Sequence, residues 1–138
     1  MLLCEIAPPQ SYEGSGKPVL YKSNTTPITK MMSAQEIVGG QHGIVGVAYY
    51  NNVVDDYDAG DNSWAVTQQV LKYANYLKHH PETVKNLPPI IIVDGKLQDG
   101  SHRTSAIWLL SQRLDPNNPL WKGKILKVEF VTSDQVNT

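Results

Sequence analysis

The chain has 138 residues, 41% hydrophobic and 18% charged, with 12 Lys+Arg against 13 Asp+Glu for a formal charge of -1. A chain of this size buries roughly 65–70% of the surface its unfolded form exposes, so a single core can hold it without staples. The balance argues against a disordered or coiled-coil chain, and against bulk attraction to nucleic acid or anionic membrane; a local basic patch stays open. Cys4 is the one cysteine. An internal disulfide framework is thereby excluded, a cysteine-based zinc site nearly so, and a reducing compartment fits. No stretch approaches the roughly 18–20 apolar residues of a membrane span. Met1 to Glu5 lack the basic region of a signal peptide. The expectation is one cytoplasmic domain over 1–138 with no membrane partner.

In chain order, residues 2–6 form an apolar run stopped by Pro8-Pro9 and read as a strand. Residues 10–18 read as loop, and Val19-Leu20-Tyr21 as a second short strand. Ser33 and Glu36 have the spacing of a capping box, starting a short helix that Gly39-Gly40 stops. Residues 44–50 (IVGVAYY) read as a buried strand in which Gly46 marks a bulge or close approach. Residues 51–62 are polar and acidic and read as a connection. A calcium loop starting at Asp56 fails, because Asp61 and Thr67 stand where glycine and glutamate are required. The clearest helix covers 63–79, capped by Asn62 or Ser63, with Val66, Val70, Tyr73, Ala74 and Leu77 on one face. Lys78, His79 and His80 suit its C-terminal dipole, and Pro81 ends it.

Ile90 to Val93 is a β-branched run that reads as a buried strand. Asp94-Gly95 is a two-residue hairpin signal, returning through Lys96-Leu97-Gln98. After the turn Asp99-Gly100-Ser101 comes a helix over 102–114, with Arg103, Ile107, Leu110 and Leu114 at helical spacing. Residues 115–119 read as loop, and 124–132 alternate as a closing strand. These elements predict an α+β domain with a small mixed sheet flanked by helices.

The strongest functional signal is Asp99-Gly100-Ser101-His102-Arg103 at a helix start. First-turn N–H groups and the positive dipole end attract anions. Gly100 admits a ligand to the backbone, Ser101 adds a hydroxyl, His102 a ring donor, and Arg103 a planar fork suited to phosphate. The same residues also fit a plain reading, in which Asp99 or Ser101 caps the helix, Gly100 makes the turn and Arg103 is solvated. Tyr49, Tyr50, Trp64, Trp108 and Trp121 are candidates for stacking on a base or for core packing. Gly39 to Gly43 read as a lid or as a simple turn.

Segment 88–110, with Asp99, Gly100, Ser101, His102, Arg103 and Ala106, resembles the ParB/sulfiredoxin superfamily, the ParB-like nuclease fold. The preceding helix, the closing strand and Glu5-Ile6-Ala7-Pro8 fit the same pattern, while about 12–60 is divergent or inserted. The resemblance implies a nucleotide-binding domain that takes a nucleoside triphosphate, ATP or CTP, with Mg2+, at this helix start. It implies phosphoryl transfer or nucleotide hydrolysis on a small substrate. Asp99, Gly100, Ser101, His102 and Arg103 would bind the cofactor, Asp99 would hold the metal, and His102 would bind phosphate or donate a proton. A general base would be Glu5 or Glu36. Sulfiredoxin activity is not expected, since Ser101 stands where that subfamily has its cysteine. The other readings are a non-catalytic DNA- or protein-binding module from a mobile element, and a ParB-like nuclease.

Overall fold

A computed structural model describes residues 19–40 and 46–137. Four strands form one mixed sheet: β1 (Ile28–Met32), β2 (Ile90–Val93), β3 (Lys96–Asp99) and β4 (Leu126–Val131), in the order β1-β4-β2-β3. β4 runs antiparallel to β1 and parallel to β2, and β2 pairs antiparallel with β3. Asp94 and Gly95 both have positive φ, as a two-residue hairpin turn requires.

The described helices are α1 (Ala34–Gly39), α2 (Gly46–Ala59), α3 (Ala65–His79) and α4 (Ser101–Leu109). The principal core lies between them and one face of the sheet. Ile90, Ile92, Leu126 and Val128 meet Val70, Tyr73 and Leu77 of α3 and Ile107 and Leu109 of α4 there. The opposite face carries a smaller cluster, Ile91, Val93 and Val131, against Val19, Tyr21 and Val136. Alternation along β2 and β4 thus sends successive residues to two different cores.

Several expectations hold. Ser33 and Glu36 form the capping box of α1, each side chain receiving the other residue's backbone N–H at 3.1 Å. The α3 helix buries Val70, Tyr73, Ala74 and Leu77, and β2 is buried throughout.

Others are corrected. Residues 46–50 are helical, not a strand, and the acidic connection after them continues α2 to Ala59. Tyr50, Val53 and Val54 are buried, one helical face, and Asp55 and Asp58 are exposed, with Asp58 accepting from Arg113 at 2.8 and 3.0 Å. Spacing decided the element there, and the β-branched and aromatic composition misled. Neither Asn62 nor Ser63 caps α3. The N-cap is Trp64, and Ser63 is held by the Asp61 carboxylate instead. Val19-Leu20-Tyr21 is not a strand, though Tyr21 makes an isolated bridge to Val136. β1 is an unanticipated strand, because Pro27 and the polar mix around it mask its pattern. The helix after β3 is α-helical only to Leu109 and continues as a π turn over Leu110–Leu114. The expected strand at 2–6 and the loop at 10–18 lie outside the described residues. Among the described residues no helix is long and apolar enough to cross a membrane.

Candidate functional site at the start of α4

The hairpin β2–β3 delivers the chain to Gly100, which has φ 110° and serves as the N-cap of α4. Gly100 is required by packing as well as by conformation. A Cβ there would lie 2.6 Å from Ile90 Cγ1 and 3.2 Å from Arg103 Nη2. Neither Asp99 nor Ser101 caps the helix, as no side chain makes a capping hydrogen bond among the described residues. The i-to-i+4 ladder begins with Thr104 N–H to the Gly100 carbonyl at 3.0 Å, doubled by the Thr104 hydroxyl at 2.9 Å.

Arg103 departs from expectation most clearly. It is 1% exposed, so it is neither solvated nor offered outward as a fork. Nη2 donates to the Pro89 carbonyl at 2.7 Å and lies 3.5 Å from Asp99 Oδ2. The reason is its place on the helix: Arg103 shares the stripe of Ile107 and Leu110, both fully buried. A cation in such a position needs fixed acceptors, and the Pro89 carbonyl and Asp99 supply them. Asp99, about one-third exposed, is therefore committed in part to Arg103.

Ser101 and His102, the first two residues of α4, are half-buried. Ser101 faces Tyr49 of α2. Burial pushes the Tyr49 phenol up, and Ser101 as a hydrogen-bonding neighbour partly offsets this. Tyr49 also meets Trp64 edge-on, with ring centres 5.6 Å apart. Of the aromatic candidates, Tyr50 and Trp121 are core residues, 3% and 1% exposed.

Glu36 is not drawn to α4 by any of its polar contacts. Its carboxylate takes the Ser33 N–H and the Lys124 ammonium, at 3.0 and 3.1 Å. The Ser33 backbone bond, then Lys124, holds its pKa below the ordinary carboxylate value. Glu5 and residues 41–43 of the glycine-dense stretch lie outside the described residues.

Sequence reasoning missed Tyr21 and Glu129. The register sets Thr29, Glu129, Ile91 and Asp99 in one row across β1, β4, β2 and β3. The Tyr21 hydroxyl donates to Glu129 Oε1 at 2.6 Å. Burial raises the Tyr21 pKa well above its usual value, helped by the Glu129 bond and by the charges of Glu129 and Asp99. The alternation of 124–132 carried the signal, since it places Lys127, Glu129 and Val131 on the face opposite Leu126 and Val128.

Among the described residues no group of three or more His, Cys, Asp or Glu is arranged for a metal ion. A scan against protein-family models finds no match, and comparison with curated proteins and with solved structures finds none either.

Proposed function

We propose that the chain is a nucleotide-binding domain of ParB/sulfiredoxin type, acting in the cytoplasm, that transfers or hydrolyses phosphate on a small substrate. The observation that carries this reading is the start of α4: a helix entered through Gly100 with no side-chain cap, and with Ser101 and His102 half-buried in its first turn. Phosphate oxygens suit such a terminus, because first-turn N–H groups and the helix dipole both favour negative charge. In this reading Ser101 and His102 touch phosphate, and His102 can carry a proton to a leaving oxygen. Arg103 is a positioning residue that fixes the corner from behind. Asp99 offers one partly exposed carboxylate. Mg2+ often uses only one or two carboxylates together with phosphate oxygens, so the donor set fits a metal that arrives with the nucleotide.

Isothermal titration with ATP, CTP, GTP, ADP and NAD, with and without Mg2+, tests the proposal, alongside phosphorus NMR for turnover. Binding that weakens in Ser101→Ala and His102→Ala is expected. No heat with any of these ligands overturns it.

A protein-binding module is the second reading. It is favoured by β1, the outer strand among the described residues, where Ile28 and Met31 are 68% and 51% exposed. A DNA-binding module or a nuclease draws no such support from a chain of charge -1.

A further inference from the structure

The helix α4 has two unlike faces. Arg103, Ile107 and Leu110 lie on the face that is buried throughout. On the opposite side Ser101, Ser105 and Trp108 follow one another at i, i+4 and i+7, which makes them one stripe. Its first member meets Tyr49 of α2.

Two polar atoms of this stripe are sealed from solvent and unbonded. Ser105 is 1% exposed, and neither its Oγ nor Trp108 Nε1 has a hydrogen-bond partner among the described residues. Buried polar atoms are bonded in the great majority of cases, because an unbonded one has lost its water with nothing to offset the loss. These two exceptions stand three residues apart, on the face that begins at the candidate site. Ser101 and the Trp108 ring are half-buried, so both ends of the stripe border solvent.

We propose that Ser105 and Trp108 bind the base of the nucleotide whose phosphates sit at the start of α4, an inference that rests on that reading of the site. The rise of the helix places Ser105 about 6 Å and Trp108 about 10 Å along the axis from Ser101, which suits a ligand laid lengthwise from phosphate to base. The two groups are neutral, and that fits a base better than a second phosphate. Trp108 Nε1 can only donate, Ser105 Oγ can donate or accept, and every base carries ring-nitrogen or carbonyl acceptors. Tyr49 at the head of the stripe, and Trp64 edge-on to it, add aromatic surface for a flat ring. The base displaces the groups that seal the two atoms and supplies the bonds that the closed state lacks.

Titrations with ATP, with CTP and with inorganic tripolyphosphate, all with Mg2+, separate this inference from the phosphate reading. The signal is the Trp108 indole N–H in the nitrogen–proton NMR spectrum, assigned by its loss in Trp108→Phe. At least one nucleotide should move it, and tripolyphosphate, which has no base, should leave it in place. Ser105→Ala should weaken that nucleotide at least about tenfold and tripolyphosphate by less than about twofold. Its urea midpoint should be no lower than that of the unaltered protein, because an unbonded hydroxyl holds nothing together. Binding of nucleotide with an unmoved indole, or an equal shift with tripolyphosphate, overturns this inference and leaves the phosphate reading standing. So does a lowered midpoint or unchanged nucleotide affinity in Ser105→Ala. Absence of binding by all three ligands overturns both. The indole measurement needs only the unaltered chain for its ligand response, so it decides even if Ser105→Ala misfolds.

Discussion

The guanidinium of Arg103 donates through Nη2 to the carbonyl oxygen of Pro89 at 2.7 Å. One bond thereby ties the first turn of α4 to the residue before β2. The same nitrogen lies 3.5 Å from Asp99 at the end of β3, so three elements converge on one side chain. Arg103→Ala would leave a void where the buried side chain stood and remove the donor to the half-buried Pro89 carbonyl. The expected loss is about 2–4 kcal/mol of stability, read as a lower urea midpoint. Arg103→Lys should recover only part of it, because an ammonium cannot reproduce the planar fork. An unchanged midpoint in Arg103→Ala would show that the Pro89 bond does not hold the corner together.

Gly100→Ala should be costly for two separate reasons. Its φ of 110° disfavours any side chain, and the new methyl would meet Ile90 at 2.6 Å. Together these predict a loss of about 2–4 kcal/mol, seen in thermal or denaturant unfolding. Gly39, which has open space around its Cβ position and no unusual φ, is the control and should tolerate alanine.

Glu36 acts at the capping box of α1. Ser33→Ala should lose about 1 kcal/mol, whereas Lys124→Ala should change stability by less than about 0.5 kcal/mol. Glu36→Gln should leave nucleotide binding and turnover as they are. A large fall in turnover with binding intact would instead restore Glu36 as a general base.

Asp115 gives the fold a measurable acid sensitivity. Its carboxylate accepts from Trp121 Nε1 at 2.8 Å and from Asn118 Nδ2 at 3.2 Å. The Trp121 bond holds its pKa below the ordinary value, against an opposing effect of burial and with help from Asn118 and Lys78. A depressed carboxylate stabilises the folded state fully above its unfolded pKa, about 3.9 for aspartate. That contribution disappears as pH falls through the folded value. Stability, read from unfolding followed by tryptophan fluorescence, should therefore fall at low pH, and Asp115→Asn should flatten the dependence.

The second half of the chain was legible because its local signals agree. Ile90 to Val93, Asp94-Gly95 and the face of α3 each point to the element that forms. The helix α2 was hidden because the apolar run 44–50 favours a strand by residue type and the acidic residues after it read as a connection, while only the spacing of Tyr50, Val53 and Val54 reports the helix. β1 was hidden because Pro27 and the polar residues around it mask its pattern, whereas β4, just as far from its partner β1, shows its own alternation. At the site, the motif located the corner but not the direction of its arginine. That direction was nevertheless written in the spacing of Arg103, Ile107 and Leu110. Tyr21 meets Glu129 only through tertiary packing, which a linear reading does not contain.

The pairing of Ile28 with Phe130 spans nearly all of the described chain. Among the described residues, a nascent polypeptide that has emerged only as far as α4 therefore lacks the mate of β1. Until β4 arrives, Ile28 to Met32 must remain open to cellular chaperones, and a fragment ending before residue 126 should bind them while the longer chain lets go.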